Sequence, residues 1–177
     1  MRFRQLRFRS AALCAFLSAT VLAQVPDDRA IAEMPAQRAV RSEIGERLVA
    51  AAAGGDAKTL QALLATGPFA DTRNLRGQTA LVEASAQGHA DIVRLLAAAR
   101  SDLNATSGSG FTALGIASLR GHRKVVEVLL DAGVAVDRVG NNGNTPLLNA
   151  VQGRHPAVVE RLLKAGADPS TRGRDGR

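Results

Sequence analysis

Three histidines, His89, His122 and His155, are the side chains best suited to metal chemistry, and each is 33 residues from the next. Metal–nitrogen bonds are only about 2 Å long, so a site would need the three rings to converge. Equivalent positions on stacked helices lie roughly 8–10 Å apart, which keeps such rings separate. The interval therefore predicts three structural residues at helix starts and no metal. Gly108-Ser109-Gly110-Phe111-Thr112-Ala113 has the G-x-G-x-x-A form of a dinucleotide loop. It lacks a preceding buried strand and its counterparts one interval away break the pattern, so it reads as a coincidence of turn glycines, with no cofactor. Asn104-Ala105-Thr106 is a glycosylation acceptor in form, relevant only in a eukaryotic secretory pathway. Glu83, Asp91, Glu127 and Glu160 are spaced along helix faces and are expected to be solvated. Residues 24–177 hold no Ser/His/Asp set, Cys nucleophile, Walker loop or paired-His spacing, so no catalytic residue and no reaction is expected.

The elements that carry these residues begin with a basic start. Arg2, Arg4, Arg7 and Arg9 supply four of the chain's 23 basic charges, and residues 1–23 contain no acid. The formal charge of +7 thus falls to +3 beyond residue 23, with 19 basic against 16 acidic residues. Met1–Ser10 followed by the apolar run Ala11–Ala23 reads as a signal peptide cut after Ala23. Thirteen helical residues rise about 20 Å, short of the roughly 30 Å hydrocarbon core, so no permanent membrane anchor is expected. An organelle transit peptide is the other reading of a basic, acid-free start. The Ala- and Arg-rich signal favours a bacterial periplasm, with secretion as the alternative. The one cysteine, Cys14, falls inside the signal, so the exported chain must be held by packing alone. Leu13 before it argues against a lipoprotein site. Of five Phe, only Phe69 and Phe111 lie beyond the signal, and Trp and Tyr are absent. Two rings cannot build a stacking platform for single-stranded nucleic acid or an aromatic cage, so no nucleic-acid partner is expected.

Residues 24–42, with Pro26 and Pro35 and no sustained apolar stripe, read as a polar lead-in to a domain at 43–177. There the chain repeats. Gly77, Gly110, Gly143 and Gly176 step by 33 residues, as do Thr79, Thr112 and Thr145, Leu81, Leu114 and Leu147, and Ala84, Ala117 and Ala150. Such a period is the mark of a repeat architecture. Each Thr can cap a helix of about two turns, which Gly88 or Gly121 then stops. A second apolar stretch follows, Ile92-Val93 with Leu95-Leu96, or Val125-Val126 with Val128-Leu129-Leu130. Links rich in Gly, Asn, Ser and Asp, such as 101–110 and 134–143, fit projecting turns or hairpin loops. A unit of this size cannot bury its apolar faces alone, so stacking must make the core.

Gly143-Asn144-Thr145-Pro146-Leu147, Gly121-His122 with Val125–Leu130, and Lys164-Ala165-Gly166-Ala167-Asp168 resemble the ankyrin repeat, a 33-residue unit of one turn and two antiparallel helices. The resemblance covers full units 78–110, 111–143 and 144–176 and a degenerate unit 45–77. It implies an all-α solenoid of stacked helix-turn-helix units joined by projecting loops. Departures are Val82, Gly115 and Leu148 for the motif histidine, Ala80 and Ala113 for its proline, and Arg154 where Gly121 would recur. The resemblance further implies a protein-interaction module with a concave face of turn tips and first helices. Carried over residue by residue, its partner-facing positions are Leu75, Arg76, Gln78, Ala86 and Gln87, then Gly108, Ser109, Phe111, Leu119 and Arg120, then Asn141, Asn142, Asn144, Gln152 and Gly153. Interface energy concentrates in aromatic and Arg anchors, which selects Phe111 and Arg120, beside Arg76 and Leu119, as a predicted hot spot.

The sequence ends where a further Thr-Pro-Leu would begin, and terminal repeats need a polar outer face. An exposed last helix pair, with Val158, Val159, Leu162 and Leu163, is therefore expected to be covered by a partner or a second copy, or to belong to a truncated product. Three function classes follow: a periplasmic or secreted module binding a protein partner, favoured here; an inhibitor or immunity-type protein neutralising a toxin or enzyme; and an enzyme with a concealed site.

Overall fold

The computed structural model describes residues 35–67 and 69–171, so the expected signal peptide Met1–Ala23, most of the expected lead-in and Gly176 lie outside the described residues. Two units are distinguished, Met1–Arg38 and Ala39–Arg177, and the repeats belong to the second. The described helices pair off along the chain: α1 (Pro35–Gly54) with α2 (Ala57–Ala65), α3 (Ala80–Gln87) with α4 (Ala90–Ala98), α5 (Ala113–Arg120) with α6 (Arg123–Asp131), and α7 (Pro146–Gln152) with α8 (Pro156–Lys164).

Helix α1 starts at Pro35, inside the segment expected to be a polar lead-in to residue 42. Proline is preorganised for a first helical turn, and Ala36 to Arg41 includes no helix breaker. Its residues Ala39, Val40 and Arg41 are exposed, which is why no apolar stripe marks them as helical.

The Thr of each full unit caps its first helix as expected. Thr79, Thr112 and Thr145 accept from the backbone N–H of Val82, Gly115 and Leu148, satisfying donors that the helix cannot. First helices then stack on first helices, α3 on α5 on α7, and second helices on second helices, α2 on α4 on α6 on α8. Ala84, Ala117 and Ala150 are fully buried, and their small side chains let the first helices approach closely. Leu60, Leu96, Leu129 and Leu162 fill the layer beneath the second helices with no exposed surface.

The links project as hairpins closed by single antiparallel bridges, Arg73 with Thr79 and Thr106 with Thr112. A second ladder runs through the same links, two residues before the bridged positions, in phase with the period but carried by varying residue types. Asp71, Asn104 and Asp137 accept the backbone N–H of Asp102, Ala135 and Asp168, one unit on. Asn104 of the glycosylation sequon is thus an inter-repeat fastener.

The second helices of the three full units end in a left-handed residue: φ is 59° at Arg100, 82° at Gly133 and 91° at Gly166. An L side chain in that conformation costs about 1–2 kcal/mol, of which glycine's greater unfolded entropy offsets roughly 0.5–1 kcal/mol. Arg100→Gly is expected to raise stability by about 0.5 kcal/mol, read as a higher urea midpoint. A lower midpoint would show that the Arg100 side chain contributes more than its backbone loses.

Candidate functional site

The hairpin tips and first helices form one face because the backbone fastens each tip to the next. Gly108 N–H donates to Gly77 O at 2.9 Å, and Asn142 N–H donates to Gly110 O at 3.3 Å. A Cβ on Gly108 would collide with Arg76 O, so the glycines of the G-x-G sequence serve tip-to-tip stacking. Leu75 and Arg76 stand exposed at one tip, Leu75 with 84% of its surface free, and Ser109 stands exposed at the next. Asn142 and Asn144 are half-buried at the third. Gln87, Arg120 and Gln152 form a second, exposed row where the first helices end.

Three of the four predicted anchors have work inside the fold. Phe111 and Leu119 are half-buried and pack against the core. Arg120 is exposed but donates from Nη1 to Ala86 O at 2.9 Å, bridging to the preceding unit. Leu75 and Arg76 are left as side chains held out from the fold.

Two residues of the face escape a reading by residue type. Glu83, expected to be solvated, is half-buried on α3, where its carboxylate accepts from Gln78 Nε2 at 3.2 Å and Gln87 Nε2 at 2.9 Å. Gln78 in turn accepts from Asn74 Nδ2 at 3.0 Å. Asn149, one period after Ile116, is 1% exposed and accepts at Oδ1 from Asn142 and Asn144. Glu83 and Asn149 occupy the same repeat position, and each gathers the polar side chains of its own tip. By contrast Asp91, Glu127 and Glu160 pair with Arg94, Arg123 and Lys164 on second helices, exposed contacts worth little.

The histidines sit at second-helix starts, each reaching back one unit. Nε2–H of His89, His122 and His155 donates to Ala53 O, Ala86 O and Leu119 O at 2.9, 2.9 and 3.1 Å. The rings pack over Gly55, Gly88 and Gly121, where a side chain would strike them. Among the described residues no group of three His, Cys, Asp or Glu converges as metal ligands.

Three carboxyls are held below the usual carboxylate range, all away from this face. Thr59 hydrogen bonds lower Asp56, the Lys164 ammonium lowers Glu160, and Ser170 hydrogen bonds lower Asp168. Each is a cap or surface pair, whose contribution is present at neutral pH and is lost as acid protonates the carboxyl.

At the far end of the stack Val151 and Leu163 are exposed, and with Val159 and Pro156 they line a mainly apolar hollow of about 480 Å3. Val151 adds to the apolar face expected there. Among the described residues no helix is long and apolar enough to cross a membrane.

No curated protein matches the chain by sequence. A family model, Ankyrin repeats (3 copies), matches residues 45–107 and again 100–173. With capped helix pairs in register over that same span, the chain belongs to the ankyrin-repeat family, whose members generally act as protein-interaction modules without catalysis.

Proposed function

We propose that this chain is an exported, non-catalytic module that binds a protein partner on the face of hairpin tips and first helices. The observation that carries the reading is Leu75, 84% exposed at a tip fastened into a rigid row, beside the exposed Arg76. Exposing a large apolar side chain on a rigid support costs hydration in the free protein and gains it back when a partner covers it. The face presents Gln, Asn and Ser around these two, the polar surround that excludes water from an anchor. Export rests on the sequence of Met1–Ala23, and places the module in the periplasm or outside the cell.

The test expresses the full chain with a C-terminal tag and compares it with the Leu75→Ala, Arg76→Ala double variant. The double variant is expected to weaken capture of a periplasmic protein by about 2 kcal/mol while its helical circular dichroism and urea midpoint stay unchanged. Equal capture by both proteins would remove this face from binding. Intact mass of the recovered protein is expected to place Gln24 at its N-terminus, and a chain that keeps Met1 in the cytoplasm would refute export.

A further inference from the structure

Beside Leu75 the tip face deepens into a groove of about 520 Å3, built from two units. It is lined by Val49, Ala50 and Ala53 of α1 and by Glu46 and Glu83. Glu46 comes from the degenerate first unit, and it accepts the Leu75 N–H at 3.0 Å across the hairpin. Among the described residues, neither carboxylate belongs to an ion pair. The rim also carries Arg76, so two acidic groups and one basic group leave the groove at −1.

We infer that this groove receives a single arginine side chain presented by the protein partner, an inference that rests on the binding face proposed above. An aliphatic stem matches the apolar lining, and burial there stabilises it at roughly 25 cal/mol per Å2. A guanidinium is planar and weakly hydrated and carries five donors in a fixed fork, so it can lie along this lining and reach both carboxylates. Glu83 is prepared for this contact. Gln78 and Gln87 each donate to one of its oxygens, which fixes the carboxylate and still leaves about half of its lone-pair sites for a guest. Lysine, a compact and strongly hydrated charge, meets two separated carboxylates less well. Arg76 sets the count, because its charge on the rim disfavours a second basic side chain beside the first. Leu75 then offers an apolar contact to the residue that flanks the arginine. The occupant is thus one arginine next to an apolar residue, and a polybasic run is disfavoured.

The probe is the peptide acetyl-Ala-Leu-Arg-Ala-amide, titrated into the 15N-labelled full chain and followed by NMR. Its control replaces arginine by citrulline, which keeps the shape and loses the charge. The arginine peptide is expected to shift the backbone amides of Leu75, Gln78 and Glu83 and to saturate in the millimolar range. Citrulline is expected to bind about fivefold more weakly, as are the arginine peptide with Glu83→Gln and with Glu46→Gln. Glu46→Gln keeps the acceptor that the Leu75 N–H uses, Glu83→Gln keeps one of the two acceptors that Gln78 and Gln87 use, and circular dichroism verifies that both variants fold. Glu127→Gln, on a second helix, is expected to change nothing. Equal binding of the citrulline peptide, or shifts confined to α4 and α6, would overturn the inference. The proposed binding face fails separately. A partner lost with Leu75→Ala and Arg76→Ala but indifferent to Glu46→Gln and Glu83→Gln removes the arginine groove and leaves the face standing. Indifference to all four substitutions removes both.

Discussion

Leu129→Ala lowers the stability of the repeat unit by about 3 kcal/mol, the middle of the range for a buried leucine truncated without collapse of its surroundings. Leu129 has no exposed surface and lies on α6, which is packed between α4 and α8 and backed by α5. Neighbours on three helices cannot all close on the space that is vacated, so the cavity cost adds to the lost transfer energy. In a stack where each unit touches only its neighbours, the damage falls on two interfaces at once. Urea unfolding followed at 222 nm measures the loss. Leu163→Ala, at a position already 44% exposed, supplies the comparison and is expected to cost under about 1 kcal/mol. Equal losses at the two positions would show that burial does not decide the stability of these second helices.

Gly121→Ala is expected to cost about 2 kcal/mol, although only one methyl is added. Gly121 ends α5 with φ of 73°, where an L residue costs roughly 1–2 kcal/mol. The added Cβ would also strike the imidazole of His155. The ring must then leave Leu119 O, and a lost hydrogen bond to a carbonyl costs about 1 kcal/mol. Gly133→Ala separates the two terms. Its φ is 82°, but nothing lies within 4 Å of the added Cβ. It should therefore show the net backbone cost alone, about 0.5 kcal/mol once the lower unfolded-state entropy of alanine is subtracted. Urea midpoints for the two variants give the difference directly, and identical values would mean that His155 moves aside freely.

The second substitution exposes how the units are fastened. Each histidine starts its own second helix, yet its hydrogen bond is to the first helix of the unit before. Glycine at the end of that first helix leaves room for the ring. The sequence places Gly and His next to each other at Gly88-His89 and Gly121-His122, whereas the working pair is the glycine of one unit and the histidine of the next. Ala86 O accepts both His122 Nε2–H and Arg120 Nη1, so a predicted anchor doubles as part of this joint.

Period and local chemistry were enough to establish the stack. Capping threonines, stop glycines and apolar pairs act within about ten residues of each other, and a 33-residue interval repeats them, so helix pairs, hairpins and the direction of stacking are legible in one dimension. The early start of α1 was not, because a helix whose side chains face water leaves no apolar period to read. The ladder of Asp71, Asn104 and Asp137 keeps the period but changes residue type, and a reading by identity passes over it. The proposed binding face was legible only as a set of positions. Which of its side chains are free is decided by contacts between units: Phe111 and Leu119 are drawn onto the core, Arg120 onto a neighbouring carbonyl, and Leu75 is left out. The groove itself joins Glu46 of one unit to Glu83 of the next, with an apolar lining from α1. Those residues share no local pattern, and only the stacking of one helix pair against another brings two carboxylates to a single space.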